Sequence, residues 1–546
     1  MAPRSGSDAP RALPPPPPSG TYEPNNPMPH IIAGGYENVA PLDTDGGTFR
    51  SSDKLVLVMV GLPATGKTHI SRRVCRYFNF FHDIPTQIFN VGDYRRRMCG
   101  SRLPASFYDH SDPEALRQRT AACRAALDDL VDYLREDGAR IAVYDATNTT
   151  RERRGFLVDQ LERSSVRAKV IFVESICEDE KLVEENIRSV KVSTPDYQGM
   201  DPEEAVRDFN MRRDRYIEVY ETLGETEAKL AYLKVIDCRQ FIVNNIRGYL
   251  PLKVIHFIMN LHTSPRTFYL TRHGQSEYNT LGKIGGDSGL SKAGLEYARR
   301  LARYADGVIG SEEEEERDGD WEGEKTTHGG GGEAPSSGRR RRPARLWTST
   351  LRRTKETAQF IEHHEFEHEW DNGDTVKWVQ FRPQVRRNLD ELYAGTCDGM
   401  TYTEIEKEYS EEFERRQKDK LRYRYQRGES YMDVTLRLEP LAHEMERTRE
   451  PILIVGHQGI LRILYAYFMG LSREEAPYIS IPLNHVIKLT PHAYGCQEER
   501  VCLMDKEEML NDGQDEPITS MPLKKANAVD QKAYADDDPI MNAPSN

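Results

Sequence analysis

Long apolar runs and a signal peptide are both missing from this sequence of 546 residues. No stretch reaches the ~18 consecutive apolar residues that a membrane-spanning helix needs. Residues 1–20 are dominated by proline and small polar residues and lack the apolar core of a signal peptide. These absences predict a cytoplasmic or nuclear protein without a membrane partner.

Paired cysteines and an excess of positive charge are also missing. The eight cysteines are spread along the chain without a CxxC pair, which predicts free thiols in a reducing compartment rather than disulfides or a zinc site. The formal net charge of -13 argues against nucleic-acid binding. Local arginine clusters, such as Arg95–Arg97 and Arg352–Arg353, favour small anionic ligands instead.

Composition divides the chain into two regions that can form a core and three segments that cannot. Residues 1–52 are rich in Pro, Gly and Ser and predict a disordered tail. Blocks of Glu, Gly and Arg between 306 and 343 predict a disordered insertion, and the polar residues 506–546 predict a flexible C-terminal tail. The predicted folded domains are therefore 53–260 and 261–505.

Short apolar runs alternate with helical patterns in both regions. In the first region the predicted strands are 54–60, 141–144, 169–173 and 233–236, and the clearest helical patterns are 114–135 and 202–222. In the second region the predicted strands are 267–270, 345–348 and 451–455. Alternating strands and helices predict two α/β domains, the first with a mainly parallel sheet covered by helices.

A complete phosphate-binding loop follows the first predicted strand. Residues 61–68 read GLPATGKT, which matches the pattern GxxxxGK[ST] in the strand-to-helix context that this loop requires. Gly61 and Gly66 allow backbone N–H groups to surround phosphates, while Lys67 would reach the β and γ phosphates. The Thr68 hydroxyl would ligate Mg²⁺. The loop therefore predicts a kinase that uses ATP with Mg²⁺.

An aspartate, Asp145, follows the strand 141–144 at the sheet edge where open α/β sheets bind ligands. Its carboxylate would orient Mg²⁺ through water or position an acceptor hydroxyl, and the alternative is a cap for the next helix. The isolated basic residues Arg95, Lys191 and Arg212 carry little information without further context.

Two histidines that are far apart in sequence each follow a predicted strand. His273 lies in an Arg-His-Gly sequence after Arg272, and His457 lies in a Gly-His sequence. A histidine nitrogen can attack a phosphate monoester, and arginines such as Arg272 and Arg353 can clamp the transferred group. Glu391 can supply a proton to the leaving oxygen. This combination predicts a histidine phosphatase.

Longer strings of sequence resemble one known family, the bifunctional 6-phosphofructo-2-kinase/fructose-2,6-bisphosphatases. The resemblance covers residues 53–305 and 344–500, and the strings that carry it, in chain order, are GLPATGKT, FNVGDYRR, YDATNTTRERR, ESICEDE, ENIRSVK, STPDY, YLTRHGQSEYN, GKIGGDSGLS, LRYRYQRGESY and LTPHAYGC. It implies synthesis of fructose 2,6-bisphosphate from fructose 6-phosphate and ATP, and its hydrolysis through a phosphohistidine. It also implies control of glycolysis and gluconeogenesis, a homodimer and a cytoplasmic location.

The resemblance implies roles for further kinase residues. Besides Lys67 and Asp145, Lys191 is implied to be a cation that stabilises the transition state. The residues implied to contact fructose 6-phosphate are Arg95, Thr150 and Arg212, and those near the nucleotide are Cys177 and Asn186.

In the second domain the resemblance implies a phosphoglycerate-mutase-like histidine phosphatase. His273 is the implied nucleophile, Glu391 the implied acid and later base, and His457 assists Arg272 and Arg353 at the 2-phosphate. Asn279 and Gly285 are implied to line the site. The residues implied to hold the sugar and its 6-phosphate are Tyr402, Arg416, Lys420, Tyr431, Gln458 and Arg462.

Three residues depart from the usual family pattern. Gln275 stands where a glutamate is usual, Tyr393 stands where an aspartate is common, and Thr65 replaces an arginine that many of the kinase loops carry. The first two change the charge near His273 and Glu391. They leave open an alternative, a kinase-dominant enzyme with a weak or inactive phosphatase half. A silent metabolite-sensing scaffold is a further alternative, which the presence of Lys67 and His273 opposes.

Overall fold

The computed structural model describes the two predicted folded regions. The described residues are 54–188, 194–262, 266–311, 341–369, 373, 375–492 and 495–505, with the backbone of 524–526. The predicted tail 1–52, most of the tail 506–546 and residues 312–340 of the predicted insertion lie outside these ranges. Within the described part of the chain, no helix is both long and apolar enough to cross a membrane.

The first region is built from six strands and seven helices among its described residues. In chain order they are β1 (Lys54–Val60), α1 (Lys67–Phe81), β2 (Thr86–Asn90), α2 (Val91–Cys99), α3 (Pro113–Arg135), β3 (Ile141–Asp145), α4 (Arg151–Arg163), β4 (Ala168–Ile176), α5 (Glu180–Asn186), α6 (Pro202–Ile217), β5 (Ala231–Ile236), β6 (Gln240–Asn244) and α7 (Tyr249–Ile258).

These strands form one sheet in the order β2-β3-β1-β4-β5-β6. All neighbouring strands are parallel except β5 and β6, which are antiparallel. The central strand β1 is buried from Leu55 to Val60, as expected for a parallel strand with helices on both faces. The carboxyl ends of β1, β2, β3 and β4 therefore meet at one edge of the sheet.

The second region has nine further strands and seven further helices in its described part. They are β7 (Phe268–Arg272), α8 (Glu277–Thr280), α9 (Lys292–Tyr304), β8 (Arg345–Thr348), α10 (Arg352–Ala358), β9 (Glu365–Glu369), β10 (Thr375–Val379), β11 (Pro383–Val385), α11 (Tyr402–Glu408), α12 (Ser410–Lys418), α13 (Tyr431–Arg447), β12 (Ile452–Gly456), α14 (Gln458–Met469), β13 (His485–Pro491), β14 (Cys496–Cys502) and β15 (Lys524–Ala526).

Seven of these strands form a second sheet in the order β11-β8-β12-β7-β13-β14-β15. The strands β11, β8, β12 and β7 are parallel, whereas β13, β14 and β15 continue the sheet in antiparallel pairs. The remaining two strands, β9 and β10, form a separate antiparallel hairpin. The α/β class predicted for both regions is confirmed.

Most predicted strands coincide with observed ones, but the boundaries differ in detail. The helical pattern at 202–222 ends earlier, because the helix α6 stops at Ile217. Of the predicted insertion, residues 306–309 belong to a helical turn that begins at Ala305, and Ser311 pairs with Arg341 in an isolated bridge. The described flanks of the insertion are therefore part of the fold.

The two sheets share a continuous apolar core through the helices α1, α7, α13 and α14. The ring of Tyr77 stacks on Phe257, with centroids 4.1 Å apart, and the ring of Phe81 lies 4.8 Å from Tyr467. A buried ion pair joins Arg73 of α1 to Glu446 of α13, with 2.9 Å between nitrogen and oxygen. The helix that follows the phosphate-binding loop thus packs directly against the second region.

Candidate active sites

The GLPATGKT segment forms a tight loop between β1 and α1. Gly61 and Gly66 adopt positive φ angles of 134° and 89°, which side chains other than glycine rarely tolerate. A Cβ atom on Gly61 would lie 2.4 Å from the Ser175 carbonyl oxygen, so the neighbouring strand also requires glycine there. The loop is closed further by a hydrogen bond from the Thr65 hydroxyl to the Leu62 carbonyl, at 2.9 Å.

A cavity of about 1660 Å³ opens at the carboxyl edge of the first sheet. It collects most of the kinase residues predicted from sequence, namely Gly66, Lys67, Thr68, Arg95, Asp145, Thr150, Asn186 and Arg212. Gly61 and Cys177 do not line this cavity, and Cys177 packs against the apolar cluster around Ala64. Lys191 lies outside the described residues.

The cavity floor is formed where β2 and β3 end side by side. Asn90 ends β2 and donates from its side-chain amide to Asp145 Oδ2, at 2.6 Å. Asp145 is buried and ends β3, so its carboxylate faces the loop from the neighbouring strand. Thr150 caps α4 through its hydroxyl, which accepts from the Arg153 backbone N–H. The helix that follows β3 is therefore capped by Thr150 and not by Asp145.

Three arginines surround one carboxylate on the opposite wall. Asp196 Oδ2 accepts from Arg95 Nη2 at 2.6 Å and from Arg96 Nη1 at 3.2 Å, and Arg212 Nη1 lies 3.7 Å away. Although burial opposes ionisation, these arginines hold the pKa of Asp196 below its usual range. The guanidinium of Arg212 also lies 3.8 Å from the centroid of the Tyr108 ring. The cluster carries a net positive charge suited to a phosphate.

The donor set of the cavity fits a single Mg²⁺ ion bound together with nucleotide. Thr68 and Asp145 offer oxygen atoms, the ligands that Mg²⁺ prefers. Mg²⁺ in phosphate-transfer sites is usually held by one or two protein oxygens, with phosphates and water completing the shell. Neither residue belongs to a larger acidic cluster, since no group of three or more His, Cys, Asp or Glu able to hold a metal occurs among the described residues.

In the second sheet the two predicted histidines come together. The strands β7 and β12 are parallel neighbours, with Arg272 opposite Gly456, so that His273 and His457 follow at the same edge. Their ring centroids are 5.1 Å apart. The backbone N–H of His273 donates to the Gly456 carbonyl at 3.0 Å, which fixes the two strand ends to each other.

The protonation state of His273 follows from its surroundings. Burial, Arg353 and Arg272 lower the pKa of His273 well below its usual value, so the ring is neutral near pH 7. Its Nδ1 atom lies 2.8 Å from the Gly274 carbonyl oxygen, which can only accept. The proton therefore resides on Nδ1, and Nε2 keeps the lone pair that a nucleophile needs.

His457 has a different hydrogen-bonding partner. Its Nε2 atom lies 2.8 Å from the hydroxyl of Ser349, which directly follows β8. Burial, followed by Arg353, His273 and Arg272, lowers the pKa of His457 as well. Its Nδ1 atom is buried and has no hydrogen-bond partner among the described residues.

Arginines and a glutamate complete the site around the two rings. Arg353, in the first turn of α10, donates to the Gly286 carbonyl at 2.6 Å. Arg272 donates to the Ile481 carbonyl at 3.1 Å. Glu391 Oε1 would lie 2.8 Å from a Cβ atom on Gly459, two residues after His457. The glycine thus leaves room for the carboxylate beside the histidines.

The residues predicted to bind the sugar lie in three small groups. Tyr431, at the start of α13, accepts from Arg462 Nη1 at 3.2 Å. Tyr402 accepts from Arg416 Nη2 at 3.2 Å. Lys420 Nζ lies 5.5 Å from the ring centroid of Tyr478. The guanidinium carbon of Arg416 also lies 5.8 Å from the ring centroid of buried Tyr425.

Gly285, in the segment after α8, and Asn279, within α8, are the two residues predicted to line the phosphatase site. Gly285 has a φ angle of 70°, and a Cβ atom there would lie 1.7 Å from Asp398 Oδ1. Asn279 forms a capping box with Ser276, since each side chain accepts from the backbone N–H of the other. Gln458 begins α14 directly after His457. Asn279 is thus held by the loop itself.

The departures at Gln275 and Tyr393 do not disturb this geometry. Gln275 Oε1 accepts from the Ser291 hydroxyl at 2.8 Å, so the side chain anchors the start of α9. The side chain of Tyr393 is 52% exposed and faces solvent. No described contact of either residue removes His273, Glu391 or their arginines from the site.

Several residues of both sites were not predicted from the sequence. Asp196 and Ser349 contribute through partners that are distant in sequence, and a single carboxylate or hydroxyl has no signature of its own. Ser349 does follow a predicted strand, and its position at the strand end was a signal that could have identified it. Asp398, which meets Gly285, had no such signal.

Two family models match the two described regions of the chain. Residues 44–265 match the family described as 6-phosphofructo-2-kinase, and residues 268–311 and 333–503 match the histidine phosphatase superfamily, branch 1. A 6-phosphofructo-2-kinase/fructose-2,6-bisphosphatase of Gallus gallus is 40% identical over 450 residues, covering 82% of this chain and 84% of the relative.

Relatives from other animals show the same extent of similarity. Isoform 3 of this enzyme from Rattus norvegicus is 40% identical over 451 residues, covering 82% of this chain and 72% of the relative. The Caenorhabditis elegans relative is 39% identical over 449 residues, covering 81% of this chain and 87% of the relative. Since the alignments span both sheets and both sites, the chain belongs to the 6-phosphofructo-2-kinase/fructose-2,6-bisphosphatase family.

Proposed function

We propose that this chain both synthesises fructose 2,6-bisphosphate from fructose 6-phosphate and ATP and hydrolyses it through a phosphohistidine. The observation that carries the proposal is the presence of two candidate phosphate sites in one chain. One is a phosphate-binding loop facing an arginine cluster, and the other is a pair of buried histidines with two arginines and a glutamate. Opposing activities in one chain would set the level of a product that controls glycolysis and gluconeogenesis.

In the proposed kinase reaction, the 2-hydroxyl of fructose 6-phosphate attacks the γ-phosphorus of ATP, and the bond to the β-phosphate oxygen breaks. Lys67 and the loop N–H groups hold the nucleotide phosphates, and Asp145 orients the attacking hydroxyl. The 6-phosphate of the sugar binds Arg95 and Arg212. Lys191, which lies outside the described residues, is proposed from the resemblance to stabilise the transferred group.

Mg²⁺ is proposed as the metal of this reaction. When bound, it would neutralise charge on the β and γ phosphates. Thr68 would hold it through the hydroxyl, and Asp145 would hold it directly or through water. Asn186 donates to the Ala64 carbonyl at 3.4 Å and would keep the loop in shape on the nucleotide side.

In the proposed hydrolysis, Nε2 of His273 attacks the 2-phosphate, and the phosphorus–oxygen bond to the sugar breaks. Glu391 gives a proton to the leaving oxygen, while Arg272, Arg353 and His457 stabilise the charge on the phosphoryl group. Glu391, now a carboxylate, takes a proton from the water that attacks the phosphohistidine. Phosphate leaves, and both residues return to their starting states.

The side chains predicted to bind the sugar would orient the substrate in the second site. The 6-phosphate would bind the cations Arg416, Lys420 and Arg462, whose aromatic neighbours restrict their side chains. Tyr402, Tyr431 and Gln458 would contact the sugar. The loop residues Asn279 and Gly285 would border the 2-phosphate.

We also propose that the enzyme works as a cytoplasmic homodimer. The edge strand β6 exposes Ile242 and Val243, and no further strand of the described residues pairs with its outer edge. Pairing with the same strand of a second copy would cover these groups. None of the eight cysteines, all of which lie in the described ranges, forms a disulfide, which supports a reducing compartment.

The proposal is tested by assaying both directions on one purified preparation. One reaction contains Mg·ATP and fructose 6-phosphate and follows fructose 2,6-bisphosphate. The other contains bisphosphate labelled on the 2-phosphate and follows free phosphate and labelled protein. We expect synthesis, hydrolysis and a label on His273. Synthesis without hydrolysis or label would instead establish a kinase whose second site is inactive.

A further inference from the structure

The glutamate proposed as acid and base, Glu391, lies in a segment without helix or strand. A single 3-10 turn, Arg387–Leu389, precedes it, and residues 390–394 follow an irregular path. The Glu391 side chain itself makes one described hydrogen bond, from the Leu392 N–H to Oε1 at 2.9 Å. Because an acid must be held within tenths of an ångström of its proton acceptor, another group has to fix this segment.

Arg437, in the second turn of α13, contacts the backbone of the segment that contains Glu391. Its Nη2 atom donates to the carbonyl oxygens of Asp390, at 2.6 Å, and of Glu391, at 3.3 Å. Its Nη1 atom donates to the Asn388 carbonyl at 2.5 Å. The Asn388 side chain returns a hydrogen bond to the Arg437 carbonyl at 2.6 Å. One guanidinium thus binds the backbone on both sides of residue 389.

Glu429 holds the guanidinium in turn. Its carboxylate accepts from Arg437 Nε at 2.8 Å and from Nη2 at 3.1 Å. The same carboxylate accepts from the Tyr393 N–H at 3.0 Å, and the Glu429 N–H donates to the Tyr393 carbonyl at 2.9 Å. The pair therefore binds the segment both before and after Glu391, at 388–391 and at 393.

The chemistry of arginine suits this position. A guanidinium carries five donors in a rigid plane, enough for three carbonyls and a carboxylate at once. Lysine keeps the charge but has one nitrogen, so it could retain only part of the contacts. Arg437 contacts backbone carbonyls and Glu429, and none of these is a reacting atom of the proposed hydrolysis.

We propose that Arg437, clamped by Glu429, is a positioning residue for the hydrolase reaction that acts through Glu391. The inference rests on the proposed function, in which Glu391 first protonates the sugar oxygen and then activates water. Loss of Arg437 would release the segment and move the carboxyl away from both protons. The residues that bind the sugar phosphate would stay in place, so catalysis rather than binding would suffer.

The first test compares kcat and KM for fructose 2,6-bisphosphate hydrolysis in the full chain. We expect Arg437→Ala to lower kcat about 10- to 100-fold, because a small misplacement of an acid costs up to about 100-fold in rate. KM should stay within about twofold. Arg437→Lys should restore part of kcat, and Glu429→Gln should reduce it less than Arg437→Ala. Arg447→Ala, on an exposed position of the same helix, is the matched control and should not change hydrolysis.

The kinase reaction of each variant serves as an internal reference for folding. If Arg437→Ala loses kinase activity as well, it does not report on positioning, and Arg437→Lys and Glu429→Gln then decide the test. A wild-type kcat in Arg437→Lys and Glu429→Gln, or a rise in KM without a fall in kcat, would overturn the proposal.

A double-mutant comparison separates positioning from a structural role. If Arg437 acts only through Glu391, then Arg437→Ala should lower hydrolysis no further in a Glu391→Gln background. A further fall by the factor seen for Arg437→Ala alone would show an independent role and refute the inference. If Glu391→Gln itself hydrolyses at the wild-type rate, the assignment of Glu391 in the proposed function fails instead. The two failures are thus distinguishable.

Discussion

Replacement of Glu446 by alanine is predicted to destabilise the contact between the two halves of the chain. Glu446 is fully buried near the end of α13. It pairs with Arg73 of the first half at 2.9 Å and with Arg266, which precedes β7. The hydroxyl of Tyr467 donates to the same carboxylate at 2.9 Å.

The expected magnitude follows from the charges that remain. Arg73 and Arg266 are each 4% exposed, so Glu446→Ala would leave two guanidinium ions buried without this counterion. Breaking a buried pair in this way costs about 3–5 kcal/mol. Glu444 on the same helix forms a partly exposed pair with Arg386, and Glu444→Ala should cost no more than about 1 kcal/mol.

Unfolding can be followed separately in the two halves. All four tryptophans lie between residues 321 and 378, so tryptophan fluorescence in urea reports the second half. Residual kinase activity at the same urea concentrations reports the first. We expect both signals to be lost at a clearly lower urea concentration in Glu446→Ala than in the wild type. In Glu444→Ala the urea midpoints should be only slightly lower. Equal midpoints in Glu446→Ala and the wild type would refute the argument, because the arginines would then not need the carboxylate.

The contribution of the Glu446 carboxylate to stability is expected to depend on pH. Burial opposes its ionisation, but Arg73 and Arg266 lower the pKa of Glu446 from 4.5 to about 2. A carboxylate with a lowered pKa stabilises the folded state above its unfolded pKa, and this stabilisation is lost as pH falls from 4.5 towards 2. The stability difference between wild type and Glu446→Ala should therefore shrink over that range. A difference that stays constant down to pH 2 would contradict the pKa shift.

Three further predictions concern the two sites and the sheet edge. Lys67→Ala should lower synthesis at least about 100-fold while hydrolysis continues, since Lys67 belongs to the phosphate-binding loop and lines the cavity of the first sheet; surviving synthesis would show that the loop is misassigned. Gly285→Ala should reduce hydrolysis more than tenfold and spare the kinase, because the added Cβ would meet Asp398 Oδ1 at 1.7 Å and the φ angle is positive; unchanged hydrolysis would show that this loop adapts. Replacing Ile242 and Val243 by lysine should convert a dimer into a monomer in light scattering, and an unchanged mass would place the interface elsewhere.

Much of the fold was predictable because its signals are local. A parallel strand buried on both faces reads as a short apolar run, as in 54–60 and 451–455. The strands β9, β10 and β14 were not predicted, since charged or exposed residues interrupt them and no apolar run marks them. The antiparallel extension of the second sheet by β13 was missed for a related reason, because sequence shows a run but not its direction.

The proposed chemistry of both sites could be predicted from residue types and their spacing alone. A phosphate-binding loop needs glycines, a lysine and a threonine at fixed spacing, and these lie within eight consecutive residues, 61–68. His273 and His457 could be paired before the structure, because parallel strands end at one edge. Identity and order of these residues are properties of the chain, and they predicted the family.

Which buried charges pair with each other could not be predicted from the sequence, because the pairing depends on how the chain folds. Arg73 and Glu446 are 373 positions apart, and Arg95 and Asp196 are 101 apart. No local pattern can join such residues, because an isolated charge in sequence is usually a solvated surface group. Folding brings them together where water is excluded, and there each unpaired charge would be costly. The contact between the two halves and the clamp of Arg437 on the Glu391 segment are therefore properties of the packed molecule.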